Sequence, residues 1–123
     1  KVVTKKQLKS LAKNKNSKKG APKAPFFFMT TFANQEQAFV FAQELISQKW
    51  ARCCNVLPPL TSVYNWKGDT HKDPEILVIG KTTKAQFQKI KAAMGTLHPY
   101  EVPELIGWPI ADGYQPYLDW LAE

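Results

Sequence analysis

The stretch that decides the fold is ARCCNVLPPLTSVYNWKGDTHKDPEILVIGKTT, residues 51–83. Its opening part, 51–66, and its closing part, 75–83, are both rich in β-branched, aromatic and other apolar residues, as strands are. The segment between them, KGDTHKDP, is polar and rich in turn-forming residues, so it predicts a reversal of the chain. Residues 51–83 are therefore predicted to form one long β-hairpin. Pro58 and Pro59 predict a bend in its first strand, because proline cannot donate a hydrogen bond to a neighbouring strand.

The residues before the hairpin predict a strand followed by a helix. APFFFMTTF, residues 24–32, is aromatic and β-branched and predicts a buried strand. Asn34, with Gln37 three residues later, is the pattern of a helix N-terminus. The helix continues through QEQAFVFAQELISQKW, where apolar residues recur at helical spacing: Ala38, Phe41, Ala42 and Leu45.

The residues after the hairpin predict a second helix, a last strand and a short terminal helix. Residues 84–97 place Phe87, Ile90, Met94 and Leu97 three or four residues apart, as on one face of a helix. Pro99 ends this helix, because it disfavours helical backbone at the preceding residue. Residues 102–110, VPELIGWPI, predict the strand, and 114–122, YQPYLDWLA, the terminal helix.

The predicted order of elements is β-α-β-β-α-β with a C-terminal helix added. This order is typical of the ferredoxin-like α+β fold, in which helices cover one face of an antiparallel sheet. The length of 123 residues fits one domain with a single core. Residues 26–123 are assigned to that domain.

The positive charge is concentrated at the N-terminus. Residues 1–24 contain nine lysines and no acid, whereas residues 25–123 hold eight basic and ten acidic residues, a net charge of −2. Few apolar residues and no acidic partners predict that residues 1–25 form a flexible arm. No aromatic residue that could stack on a base precedes Phe26, so the pattern disfavours nucleic acid as a partner.

Several classes of protein are disfavoured by composition. No run of eighteen apolar residues exists that would predict a membrane span. The two cysteines are adjacent, unlike those of a disulfide-framed secreted domain, so an intracellular location is predicted, in the cytoplasm or an organelle interior. The six glycines are scattered, with no phosphate-binding loop, and no nucleophile with a base and an orienting group is visible. The sequence therefore predicts neither an enzyme nor an organic cofactor.

Five aromatic residues indicate an association surface. Tyr64 and Trp66 are two residues apart and therefore lie on one side of a strand. Trp108, Tyr117 and Trp120 add more aromatic area than a core of this size needs, and aromatic residues are enriched at the centres of interfaces. Ordinary core packing stays open as the alternative for each residue taken singly.

Two residues are candidate metal ligands. His98 carries an imidazole suited to Cu(II) or Zn(II), and the alternative is a turn histidine that makes a hydrogen bond. Cys53 is the second candidate. Cys53 and Cys54 point to opposite faces of a strand, so they cannot form a two-thiolate clamp, and one of them is expected to be a small buried apolar residue. His71, near two aspartates, is more typical of a solvated turn.

Four motifs in order carry a resemblance to a known family. They are KWARCCNVLPPLTSVYNWKG at 49–68, KTT at 81–83, HPYEVPEL at 98–105 and PYLDWL at 116–121. Together they resemble the CutA family, the proteins named for divalent-cation tolerance, and the resemblance runs collinearly from Phe26 to Leu121. It implies a ferredoxin-like protomer in a tight homotrimer, with the sheets inside and the long hairpin reaching to a neighbour. In architecture it also implies kinship with the trimeric PII-like signalling proteins.

The resemblance also bears on the metal candidates. In bacterial members, copper is associated with a cysteine at the end of the first strand and two consecutive histidines before Pro-Tyr. The corresponding positions here are Thr30, Leu97 and His98, so only one of the three keeps a ligand. Cys53 stands where the family's second strand carries its cysteine.

The resemblance further implies a cleft at the boundary between subunits, with the polar residues Glu75, Lys81, Tyr100 and Glu104.

Two functions follow. In the first, the protein is a non-catalytic trimer for divalent-cation tolerance or metal response, with Cu(II) or another divalent cation. In the second, it is a trimeric scaffold whose lysine-rich residues 1–24 bind another protein or an anionic surface, with no physiological metal.

Overall fold

The computed structural model describes residues 21–123. Most of the predicted arm, and with it the predicted partner-docking segment, lies outside the described residues. Five strands and three helices follow one another along the chain: β1 Pro25–Phe32, α1 Gln35–Ser47, β2 Cys53–Val56, β3 Leu60–Trp66, β4 Asp69–Thr83, α2 Lys84–Leu97, β5 Ile106–Pro109 and α3 Gln115–Ala122. Within this part of the chain, no helix is long and apolar enough to cross a membrane.

The strands form one antiparallel sheet organised around β4. The order is β2-β4-β1-β5, and β3 pairs with the outer part of β4. Along β1 the register runs from Pro25 opposite Thr83 to Phe32 opposite Ile76. β4 has 15 residues, so its C-terminal half lies inside the sheet while its N-terminal half extends outward as a two-stranded ribbon with β3. The predicted ferredoxin-like α+β fold, with its long hairpin and terminal helix, is confirmed.

The tip of the hairpin differs from the prediction. The reversal takes only Lys67 and Gly68, which have φ of 51° and 87°. Two successive residues with positive φ form the tight turns whose twist matches that of the flanking strands. The returning strand therefore begins at Asp69, six residues earlier than predicted. The predicted bend is confirmed, because Pro58 and Pro59 separate β2 from β3.

The last strand is shorter than predicted. β5 covers Ile106–Pro109 instead of 102–110, and among the strands of residues 21–123 it pairs with β1 alone. Pro103 has no N–H to donate, so the residues before Ile106 are poorly suited to a hydrogen-bonded ladder.

The core lies between the two long helices and one face of the sheet. Both helices begin where the sequence sets a cap: the Asn34 side chain accepts a hydrogen bond from the Gln37 N–H at 2.9 Å, and the Thr83 hydroxyl accepts one from the Gln86 N–H at 3.4 Å. The largest fully buried apolar side chains come from both layers: Phe28, Phe32, Phe41, Leu45, Ile90 and Val78.

The other face of the sheet, called the open face below, is not covered by α1 or α2. Its side chains alternate with the buried ones along each strand. Trp108 is 43% exposed and Ile106 is 50% exposed, and the Trp108 ring contacts Phe27 with centroids 4.7 Å apart. A protomer with such a face leaves a large apolar surface in water. The open face consists of Phe27, Met29, Leu77, Ile79, Ile106 and Trp108.

Candidate functional site

His98 joins the end of α2 to β1. Its imidazole is buried, with 6% of the residue exposed. Nε2 lies 2.8 Å from the Thr31 carbonyl oxygen, and Nδ1 accepts a hydrogen bond from the Tyr100 N–H at 3.2 Å. A carbonyl oxygen can only accept, so the proton is on Nε2 and the tautomer is fixed. The ring also stacks on Phe32 with centroids 4.2 Å apart.

The electrostatics of His98 favour the neutral ring. Burial lowers its pKa, which outweighs the opposing effects of the Thr31 carbonyl and the Glu75 carboxylate. Both ring nitrogens are also engaged in hydrogen bonds. Metal ligation by His98 stays a prediction, and it requires that one of these two bonds be displaced.

Two of the four residues predicted for the cleft, Glu75 and Tyr100, come together beside His98. The Tyr100 hydroxyl donates a hydrogen bond to the Glu75 carboxylate at 2.9 Å. Burial raises the pKa of Tyr100, and the bond to Glu75 raises it further, so the phenol remains protonated. The Glu104 carboxyl is near enough to respond to Glu75. Partial burial, and then the charge of Glu75, raise the pKa of Glu104.

A further carboxylate, which the sequence analysis did not single out, comes from the hairpin. Asp73 accepts a hydrogen bond from the Tyr64 hydroxyl at 2.6 Å, and the Tyr64 ring stacks on His71 with centroids 5.4 Å apart. This bond is the main reason that the pKa of Tyr64 is raised. Asp73 is two residues before Glu75 on β4, so strand alternation could have indicated that both point to one side. Asp73, Glu75 and Glu104 are called the acidic cluster below.

The acidic cluster has no cationic partner within the described chain. The one ion pair among residues 21–123 joins Arg52 to Glu123, away from the cluster. One further observation limits what the cluster can do by itself. In residues 21–123, no three His, Cys, Asp or Glu side chains are arranged to hold a metal ion. The cluster is therefore a site of negative charge, and a metal ion bound there would need additional ligands.

Lys81 and Cys53 form a second group, at the other end of β4. They are opposite each other in the pairing of β2 with β4. The Lys81 ammonium donates a hydrogen bond to the Asn55 side-chain oxygen at 2.8 Å, and the Cys53 sulfur lies 4.0 Å from that oxygen. Six residues of strand, about 20 Å, separate Lys81 from Glu75. Within one protomer, Lys81 therefore does not join Glu75 and Tyr100.

The two cysteines take different environments, and neither meets His98. Cys54 packs against the core, and burial, with a smaller effect of Cys53, raises its pKa to about 12. Cys54 is half-buried against the core, and the assignment of one cysteine as a small buried apolar residue stays a prediction. Because neighbouring strand residues alternate, Cys53 faces the side of the sheet away from the core that holds His98. Joint ligation of one metal by Cys53 and His98 stays a prediction and requires a second protomer.

The five aromatic residues predicted for an interface fall into two groups. Tyr64, Trp66 and Trp108 are each more than a third exposed, on the hairpin and the open face. Tyr117 and Trp120 are half-buried on α3 and contact each other, with ring centroids 5.6 Å apart. Trp120 also lies beneath the Arg52 guanidinium at 4.7 Å. Their role between subunits stays a prediction.

Comparison with known proteins gives one consistent result. A sequence model described as the CutA1 divalent ion tolerance protein matches residues 26–123. The chain is 43% identical over 95 residues to the divalent-cation tolerance protein CutA of Thermus thermophilus, covering 77% of this chain and 92% of that protein. It is 39% identical over 93 residues to a CutA homolog of Xenopus laevis, covering 76% of this chain but only 62% of that longer protein. The solved Cut A1 structure from Thermus thermophilus superposes with a TM-score of 0.76 at 41% identity, covering 79% of this chain and 94% of that one.

Proposed function

Because this chain belongs to the CutA1 divalent ion tolerance family, we propose that it acts as a non-enzymatic homotrimer that binds a divalent cation at the acidic cluster. The observation that carries the proposal is the placement of Glu75 and Glu104. The Tyr100 hydroxyl holds Glu75 at 2.9 Å, the charge of Glu75 helps to raise the pKa of Glu104, and no cationic side chain in the described chain is ion-paired with either carboxylate.

The open face supports assembly. Exposed apolar side chains on one side of a sheet are stabilised when a second copy covers them, and such burial contributes about 25 cal/mol per Å² of apolar area. The outer ribbon supports it further, because within the described chain β3 pairs only with β4. The other edge of β3 therefore offers backbone groups to a neighbouring subunit. Trimerisation of this kind would place the hairpin, and the acidic cluster at its base, at a subunit boundary.

The chemistry of the acidic cluster fits a divalent cation in part. Carboxylate oxygens suit Mg²⁺, Mn²⁺ and Ca²⁺, and they also contribute to Cu(II) and Zn(II) sites. Glu75 and Glu104 would hold the ion, with Asp73 adding charge nearby. A bound cation would supply the positive charge that these carboxylates lack. Further ligands would come from a second protomer or from water.

His98 and Cys53 form the competing proposal for Cu(II). Imidazole and thiolate are the softer ligands and would favour copper over Mg²⁺ or Ca²⁺. Their separation within one protomer and the two hydrogen bonds of His98 weigh against this pair.

The two adjacent free cysteines support the predicted intracellular location of the protein.

The experiment that tests the proposal is calorimetric titration of the metal-free full chain with Cu(II), Mn(II) and Zn(II). We expect saturable binding that Glu104→Gln weakens at least tenfold. Glu101→Gln is the matched control, because it removes an exposed carboxylate from the same loop. Equal effects of the two variants would overturn the assignment to the acidic cluster. Loss of Cu(II) binding in Cys53→Ser alone would favour the competing site.

A further inference from the structure

A groove of about 530 Å³ lies on the far side of the protomer from the acidic cluster. It is bounded by the end of α1, the start of α2 and the end of α3. Its volume is in the range that holds small organic ligands. Its apolar lining includes Ile46, Ala51 and Ala85. On α3, Trp120 and Leu121 add to this lining.

The charged residues that line the groove are mostly positive. Lys23, Lys49 and Arg52 face a single acidic side chain, Glu123, among the described residues that line it. Glu123 is already 3.0 Å from an Arg52 nitrogen. Neither lysine takes part in an ion pair within residues 21–123. The groove therefore combines an apolar floor with uncompensated positive charge.

Arg52 is oriented at the edge of this groove by its neighbours. Its guanidinium lies over the Trp120 ring, 4.7 Å from the centroid, and one of its terminal nitrogens is bonded to Glu123. An arginine has five N–H donors in a planar arrangement that suits carboxylate and phosphate groups. Its Nε is buried and has no hydrogen-bond partner in the described chain. The side chain is thus held in place while most of its donor capacity is unused.

Lys49 stands at the groove in an unusual backbone conformation. It follows the last residues of α1 and has φ of 63°, a position that helices usually fill with glycine. A side chain there strains the backbone, and such strain persists only where the surrounding structure holds the residue in place. Here the strained residue adds an ammonium group to the edge of the groove.

We propose that this groove binds a small organic anion, with an apolar or aromatic body that carries a phosphate or carboxylate group. The body lies on the floor formed by Ile46, Ala51 and Leu121. The anionic group lies among Lys23, Lys49 and Arg52, whose charge it neutralises. This site is independent of the proposed cation site, which involves none of these residues.

The test is a titration of the full chain with 1-naphthyl phosphate, followed by amide NMR shifts of residues 49–52 and 82–86. 1-Naphthoate distinguishes a carboxylate from a phosphate, and uncharged 1-naphthol measures the contribution of the apolar body alone. We expect saturable shifts confined to the groove, with 1-naphthol binding at least fivefold more weakly than one of the anions. Raising the salt concentration should weaken the binding of the two anions and leave the binding of 1-naphthol unchanged.

Variants separate the charge of Lys49 from its backbone strain. Lys49→Gly should weaken anion binding about threefold to fivefold, as expected for one exposed charge, while raising the unfolding midpoint. Lys49→Arg should keep the binding. Lys67→Gly is the matched control, because Lys67 also has positive φ but lies in the hairpin turn; it should leave binding unchanged. The proposal is overturned if 1-naphthol binds as tightly as the anions, or if Lys49→Gly and Lys67→Gly behave alike.

Discussion

At the scale of single residues, His98 ties the end of α2 to the end of β1. It uses one ring nitrogen as a donor to the Thr31 carbonyl and the other as an acceptor from the Tyr100 N–H. Tyr100 in turn donates to Glu75. One buried imidazole thus fixes the position of the tyrosine beside the acidic cluster.

Replacing His98 with phenylalanine tests this role. His98→Phe keeps an aromatic ring for stacking on Phe32 but leaves the Thr31 carbonyl and the Tyr100 N–H without partners. One buried and one part-buried polar group without partners should cost about 2–4 kcal/mol in the free energy of unfolding. Denaturant unfolding of the variant and the wild type measures the difference. A loss below about 0.5 kcal/mol would show that these hydrogen bonds contribute little.

The same residue predicts a pH dependence of stability. Burial lowers the pKa of His98 in the folded protein, so the unfolded chain, whose histidine titrates near 6.5, takes up this proton more readily. The contribution of neutral His98 is therefore fully present above that value and is lost as the pH falls toward the folded pKa. Unfolding midpoints measured from about pH 8 to pH 5 should fall more steeply for the wild type than for His98→Phe. Parallel curves would contradict the role given to burial.

At the scale of elements, β4 organises the molecule, because it pairs with β1, β2 and β3. Its C-terminal half is packed too tightly for any side chain at Gly80. A Cβ atom there would overlap the ring of Phe28. The close approach of this strand to the first aromatic strand therefore depends on glycine.

Two glycine-to-alanine substitutions of opposite expected sign test this packing. Gly80→Ala should destabilise the protein by about 1–3 kcal/mol or more, because the core must shift to accept the methyl group. Gly95→Ala is the control. Gly95 lies in α2 with no atom within 4 Å of the added Cβ, so alanine should stabilise the helix by up to about 1 kcal/mol. Thermal unfolding of both variants gives the comparison, and a Gly80→Ala protein as stable as the wild type would refute the packing argument.

The elements also show how far the sequence predicts this fold and its candidate site. Helices α1 and α2 follow from apolar spacing, and α1 also from the cap at Asn34, which are local signals. The early start of β4 does not follow from local signals, because polar residues such as Asp69 pair in the ribbon only once the Lys67–Gly68 turn sets the register. The surroundings of the acidic cluster are harder to predict than the helices. Tyr100, which donates a hydrogen bond to Glu75, is 25 residues away from it in the chain, so their contact depends on tertiary packing that no local pattern encodes.

At the scale of the whole molecule, the open face and the outer ribbon are the two surfaces that support the proposed association. Ile106 and Trp108 are about half exposed in the protomer, and they lie opposite Met29 and Phe27 of β1. A sheet with one helix-covered face and one apolar open face is complete only when the second face is covered.

Sedimentation equilibrium tests this association. The full chain should sediment with about three times its mass of 14.0 kDa. Trp108→Lys places a charge in the open face and should shift the equilibrium toward the monomer while the far-UV circular dichroism keeps its shape. Val102→Lys is the control, because Val102 is also exposed but lies outside the sheet. A wild-type protein that sediments as a monomer would refute the proposed trimer.

The measurement that tests the central claim most directly is paramagnetic broadening of the amide NMR signals of the metal-free full chain by substoichiometric Mn(II). Mn(II) takes carboxylate ligands and broadens signals only near the site that it occupies. The account predicts that the amides of Asp73, Glu75 and Glu104 broaden first, and that Glu104→Gln abolishes this selectivity while Glu101→Gln keeps it. Uniform broadening, or selective broadening around Cys53, would contradict a cation site at the acidic cluster.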